Sequence, residues 1–169
     1  MIDFVLFLTL GICLYTDLTE RKIFNWVTVP ASALGLGINA WQGGLTGLGQ
    51  AFLGWIAGLF ILFIPFMLRG ISGGDIKLLA AIGALKGVDF VLCTVLFTAA
   101  VGGIYILIYL IITRKLGPTL KNLKQTLYLA LVSILGKELA TIPGNTNVVN
   151  TVPYAAAISA GTVLTFILR

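Results

Sequence analysis

Six apolar stretches, at about residues 4–15, 26–41, 52–68, 76–85, 90–113 and 153–168, dominate the sequence, and a chain with that pattern has few ways to fold. A helix that crosses a bilayer needs roughly 20 mostly apolar residues. Inside lipid, every backbone N–H and C=O must also find its partner within the protein. The stretches therefore predict an all-α, polytopic membrane protein built as a bundle of six transmembrane helices. The fourth stretch is short. It crosses only if it runs from near Ile71 to Lys86, a rise of about 24 Å at about 1.5 Å per residue, which sets Asp75 at or just inside its first turn. Composition agrees, with 59% hydrophobic and 10% charged residues and a mean hydropathy of +1.06, beyond the range of ordinary soluble domains. In 169 residues six spans leave no room for a separate soluble domain, so residues 1–169 are read as one transmembrane domain.

Lysine and arginine set the direction. If Met1 faces outward and the spans alternate, nine of the 11 basic residues fall on the inner side: Arg21, Lys22, Arg69, Lys77, Arg114, Lys115, Lys121, Lys124 and Lys137. Lys86 and Arg169 remain outside. Cytoplasmic loops carry the basic excess, so the loop after the first helix, the loop before the fourth and residues 114–152 are placed in the cytoplasm of a cell with this protein in its inner membrane. Between the fifth and sixth helices, residues 120–137 space lysines among Leu120, Leu123, Leu127, Leu131 and Ile134, which suits an amphipathic helix lying on the membrane surface. A seventh span is the rival reading of that segment, and residues 127–135 are short for an unaided crossing. Residues 142–147 read as a loop. Gly54 with Gly58, Gly83 with Gly87, and the Gly102-Gly103 pair mark points of close helix approach, a packing feature that implies no activity.

Several chemistries are excluded or disfavoured. The sequence has no histidine, which removes Ser-His-Asp and Cys-His catalysis, HExxH zinc sites and histidine metal clusters. Cys13 and Cys93 lie inside apolar runs, so neither a disulfide framework nor a CxxC zinc site is available, and both are read as buried packing residues. No metal and no cofactor is expected. The net charge of +5 follows the positive-inside pattern and is not read as a nucleic-acid footprint. The first apolar run has Asp3 at its front and no A-x-A site after it, so it is expected to stay as a helix and not to be removed as a signal peptide.

What remains is carboxylates, lysine, or a Ser-Lys pair. Among six acidic residues, Asp17 and Asp75 fall at the predicted cytoplasmic ends of apolar helices, both on the same side. An ionisable group near hydrocarbon costs up to about 2.5–3.5 kcal/mol at a helix centre and less toward the interface, so two of them suggest use. The bland alternative is a pair of interfacial aspartates reaching water. Ser72, Gly73 and Gly74 precede Asp75 without a bulky side chain, which lets backbone approach backbone and leaves space for an extended peptide. Brought together, two such carboxylates can share one proton, one activating a water while the other protonates the carbonyl or the leaving amine.

The local sequence resembles a known family, the type IV prepilin leader peptidases and their preflagellin relatives, which are GxGD-type intramembrane aspartic proteases. Asp17-Leu18-Thr19-Glu20-Arg21-Lys22-Ile23-Phe24-Asn25 is similar to the family's D-x-x-x-R-x-I-P-N block. Ser72-Gly73-Gly74-Asp75-Ile76-Lys77-Leu78 is similar to G-x-G-D-x-K-L, and Pro153-Tyr154-Ala155-Ala156 to a P-Y-G/A-P stretch opening the last helix. The order matches as well. Ser72 stands where the pattern has its first glycine, and Phe24 where it has proline. The resemblance implies that Asp17 and Asp75 form a catalytic dyad. It also implies a prepilin or pseudopilin substrate whose basic leader is cut at the cytoplasmic membrane boundary. Longer family members carry a cytoplasmic extension with paired CxxC motifs and methylate the new N-terminus with S-adenosylmethionine. These residues contain no such extension, so the resemblance implies the short, peptidase-only form associated with tight-adherence pili.

Asp17 is expected at the C-terminal end of its helix, where the dipole disfavours negative charge, and Asp75 near an N-terminus, where it favours one. That contrast predicts Asp75 as the base and Asp17 as the proton holder, with a bell-shaped rate profile from the coupled pair. Lys77 and Arg21 fit either orienting the site or anchoring at headgroups, the commoner use. Asn25 fits either bonding an aspartate or capping the second helix. Gly73 and Gly74 would leave room for substrate, while Glu20 reads as solvated and Tyr154 as interfacial. The rival functions are a small transporter or channel subunit with paired carboxylates relaying cations or protons, a Ser72-Lys77 hydrolase, and a scaffold without catalysis.

Overall fold

The computed structural model describes residues 1–67, 71–112 and 154–169. The predicted amphipathic segment 120–137, the loop 142–147, Arg69 and Pro153 lie outside the described residues. Among those described, every regular element is helical: α1 (Ile2–Glu20), α2 (Asn25–Ile61), α3 (Phe63–Met67), α4 (Gly73–Lys86), α5 (Val88–Ile112) and α6 (Tyr154–Leu168). By length and hydropathy, three helical stretches among the described residues could cross a membrane, Ile2–Glu20, Asn25–Met67 and Val88–Ile108, with Tyr154–Leu168 a shorter apolar helix. The chain divides into two units, one of Met1–Gly102 with Val152–Arg169, the other of Gly103–Thr151. In the second, the described residues continue the helix of α5.

α1 shows how the sequence makes its face. Leu6, Leu10, Cys13 and Asp17 are buried at spacings of three and four residues, so they share one stripe of the helix. Phe4, Leu8, Tyr15 and Leu18 stand exposed on the other side. An outward surface of large apolar side chains is what a lipid-facing helix presents and what a soluble protein avoids. The helix ends at Arg21, whose φ of 54° and ψ of 36° are left-handed and whose N–H returns to the Asp17 carbonyl at 3.0 Å, closing the last turn as a C-cap does.

The two helices that the apolar stretches 26–41 and 52–68 predict are present within Asn25–Ile61, separated at Gly44 by a tight reversal in place of a longer loop. Gly44 sits at φ 58° and ψ −142°, a region essentially reserved for glycine. Beyond it the chain doubles back, because the Cα of Gly47 lies against the carbonyl of Asn39, which a straight helix would hold about 12 Å away over eight residues. The far helix is interrupted at Leu62 and resumes as α3 to Met67, close to the predicted end, and Pro65 accounts for the interruption: it has no N–H for the Ile61 carbonyl and its ring clashes there.

α4 lies against both halves of α2, its most extensive packing partner, and every residue from Leu78 to Leu85 is buried. A helix apolar all round has to sit inside the bundle. Gly54 approaches the backbone at Gly83 and Gly87, and a Cβ on Gly58 would lie 2.7 Å from the Ala80 backbone N. The predicted glycine spacing thus serves close approach at these positions, whereas Gly103 has open space around it. Asn39 donates its side-chain amide to the carbonyls of Ala84 (3.1 Å) and Leu85 (3.2 Å), which lack partners inside the last turn of α4. Cys13 is fully buried, as expected. Cys93 is only half-buried, because its position on α5 lies at the border of that helix's packed face, so the packing role applies to Cys13 alone.

Candidate active site

The buried stripe of α1 ends in Asp17, 8% exposed, and the first turn of α4 carries Asp75, 3% exposed. Each acid stands near a helix end and not at its middle. α1, α4 and α6 all pack against one another, so the carboxylates occupy a place where three helix ends meet. They are close enough to interact electrostatically.

Asp75 is held locally. Its Oδ2 accepts the Ser72 N–H at 3.1 Å, and the Ser72 hydroxyl accepts the Gly74 N–H at 3.2 Å. These reciprocal bonds satisfy otherwise orphaned donors at the N-terminus of α4 in the manner of a capping box. Ser72, the departure from the G-x-G-D pattern, is thereby the N-cap residue, with extended backbone at φ −77° that requires no glycine.

Asp17 is held from far along the chain. Its Oδ2 accepts the backbone N–H of Ala155 at 3.1 Å, in the first turn of α6. The dipole contrast drawn from the sequence therefore loses its basis. Asp17 sits at the C-terminal end of α1 but also faces the N-terminus of α6, where negative charge is favoured. The base and acid roles cannot be divided on that ground.

Other groups face the pair. The Cys13 thiol, one turn before Asp17 on the same stripe, lies within electrostatic reach of both aspartates. The half-buried phenol of Tyr154 lies within reach of Asp75, and the guanidinium of Arg21 within reach of Asp17. The sequence assigns neither Ala155 nor Cys13 a role at the site. The 6, 10, 13, 17 spacing of α1 carries the signal for Cys13, but a backbone N–H has no residue signature, and only the position of the Pro-Tyr-Ala-Ala block pointed toward Ala155.

The supporting residues separate. Lys77 Nζ donates to Asn25 Oδ1 at 2.8 Å in an exposed bond that ties the first turn of α4 to the start of α2, so neither side chain bonds an aspartate. Phe24 is the N-cap position of α2 and makes no side-chain cap; Asn25 is already inside the helix and does not cap it. Gly74 is required by packing, since a Cβ there would lie 2.8 Å from Ile23 Cβ, while one on Gly73 would make an ordinary 3.6 Å contact with Phe66. The Ser72-Lys77 hydrolase finds no hydrogen bond between its two groups among the described residues, since the Ser72 hydroxyl accepts the Gly74 N–H and Lys77 Nζ donates to Asn25. Among the described residues, no group of three or more His, Cys, Asp or Glu side chains could hold a metal ion.

The sequence profile described as the type IV leader peptidase family matches residues 4–107, a stretch that contains Asp17, Asp75 and all of α1 to α4 except Ile2 and Asp3. No curated protein and no solved structure matches the chain.

Proposed function

Since the chain belongs to the type IV leader peptidase family, and is therefore a protease of the prepilin leader peptidase type, we propose that it cuts by an intramembrane aspartic mechanism using Asp17 and Asp75. The observation that supports this reading is the meeting of two buried carboxylates, from α1 and α4, at helix ends. Burial of an acid without use costs stability, and two acids side by side can share one proton.

In the proposed reaction one carboxylate takes a proton from a water, whose oxygen attacks the scissile carbonyl carbon. The other, protonated, carboxyl donates to the carbonyl oxygen. The tetrahedral intermediate then collapses: the C–N bond breaks, the leaving nitrogen takes the proton gained by the first carboxylate, and a hydroxyl of the intermediate returns its proton to the second carboxylate as C=O re-forms. The substrate is a prepilin or pseudopilin with a basic leader before a hydrophobic helix, cut at the cytoplasmic boundary of the inner membrane. Six spans, with α2 contributing two across its reversal at Gly44, put both aspartates on the inner side, where the basic residues concentrate. Residues 1–169 act as a single peptidase domain.

Co-expression with a candidate prepilin tests the reading. Wild type converts the precursor to the mature form, while Asp17→Asn and Asp75→Asn at matched protein levels leave it uncut. Processing at the wild-type rate by either variant refutes the dyad.

A further inference from the structure

The two aspartates are secured in different ways. Asp75 Oδ2 is bonded by the N–H of Ser72, three residues before it, so the turn that presents Asp75 also fixes its carboxylate. Asp17 lies within electrostatic reach of Arg21, but the hydrogen bond to its Oδ2 comes from the N–H of Ala155, 138 positions along the chain. Ala155 is fully buried, so water cannot readily replace that donor. It also belongs to the first turn of α6, whose N–H groups have no acceptor within their own helix, and the bond therefore competes with nothing in α6.

We infer that the backbone N–H of Ala155 is a positioning group for the proposed dyad, fixing the rotation of the Asp17 carboxylate so that α6 completes the site without contributing a side chain to that bond. The inference rests on the aspartic reading above. An aspartate side chain turns about two bonds, and proton transfer requires its oxygens within hydrogen-bond reach of the water. A donor docked from another helix restricts that rotation only while α6 is seated against α1. The alternative is that Asp17 merely caps α6, in which case the bond supports folding and leaves the turnover of folded protein alone.

Replacing the amide by an ester distinguishes the two. Lactic acid is incorporated in place of Ala155 in the full chain by nonsense suppression during cell-free synthesis into liposomes, which removes the N–H and keeps the methyl group. The same exchange at Ala156 removes the next N–H of the same turn. With a prepilin substrate, the ester at 155 should lower kcat at least about tenfold, as expected for loss of a hydrogen bond to a charged group. KM should stay within about twofold, and the ester at 156 should retain most of the wild-type kcat. Equal kcat for the two esters, or a loss at 155 confined to thermal stability, overturns the inference. Asp17→Asn is assayed alongside: if it cleaves at the wild-type rate, the aspartic reading itself has failed, whereas an inactive Asp17→Asn with an unaffected ester at 155 removes only the role of Ala155.

Discussion

The two ends of α4 handle charge in opposite ways. At its N-terminus Asp75 is 3% exposed and is met by a backbone N–H, with Asp17 close by. At its C-terminus Lys86 forms an ion pair with Asp3 and stands over the rings of Phe90, 5.6 Å from its centre, and Phe166, at 5.1 Å. The same end holds a looser Arg169–Asp89 pair at 3.6 Å and a cavity of about 590 Å³ lined by Gln50, Leu53, Lys86, Asp89 and Phe166 among others. Opposite charges paired in a half-wet setting are a structural clasp. Like charges gathered in a dry one are costly to the fold, and that cost is intelligible if the pair does chemistry. The comparison predicts that acids at the first end govern turnover and that acids at the second govern, weakly, stability.

The sharpest way to break the comparison is to neutralise each end. Asp17→Asn or Asp75→Asn should reduce prepilin cleavage by roughly 10³-fold or more, the scale of losing a general acid or base, while the thermal unfolding midpoint in detergent stays the same or rises. A cleavage assay run beside a melting curve checks both halves. A variant that loses activity only because it unfolds would move these acids into the structural class.

Next in size is the approach of α2 to α4 that holds the two ends in line. Gly83 lies so close to the Gly54 carbonyl that a Cβ would overlap it, and the neighbour is backbone, which cannot turn aside. Gly83→Val should therefore destabilise by about 1–3 kcal/mol or more, seen as a lower melting midpoint and reduced accumulation in the membrane. Unchanged melting would mean that α4 is not clamped in this way.

A smaller effect is expected at Ser72. Alanine there removes the hydroxyl that accepts from Gly74 and should cost about 0.5–2 kcal/mol, while glycine costs only a few tenths of a kcal/mol. Because residue 72 keeps its N–H in both variants, the bond to Asp75 survives and cleavage should fall by less than about tenfold. Near-complete loss in Ser72→Ala would revive a serine nucleophile, against the engagement of Lys77 with Asn25.

These predictions use features that the sequence displayed unevenly. Asp17 and Asp75 were legible because a charge at the edge of an apolar run stands out against its neighbours, and the three motif blocks fixed their order. A reversal between the second and third stretches was legible but its place was not, because Gly43, Gly44, Gly47 and Gly49 all fall in that gap, and nothing in the letters says which of them takes the positive φ that turns the chain. Asn25 and Lys77 were visible as polar residues, but their bond to each other depends on how α4 docks beside α2. Ala155 was invisible as a hydrogen-bond donor for a simpler reason: every residue but proline has an N–H, and only tertiary packing selects the one that meets Asp17.

The smallest effect sharpens the comparison from its quieter end. Asp3 is 54% exposed in its side chain and Lys86 23%, so water screens their attraction and the pair is worth at most about 1 kcal/mol. Asp3→Asn should lower the melting midpoint by no more than a few degrees, with the loss shrinking further in high salt as screening increases. Lys86 would keep its two ring contacts, which do not need Asp3. Cleavage by the folded protein should match wild type, because nothing at this end reaches the carboxylates at the other end of α4. If Asp3→Asn instead reduced kcat without affecting melting, the two ends would be coupled along α4, and the division between a clasp and a reaction centre would be wrong.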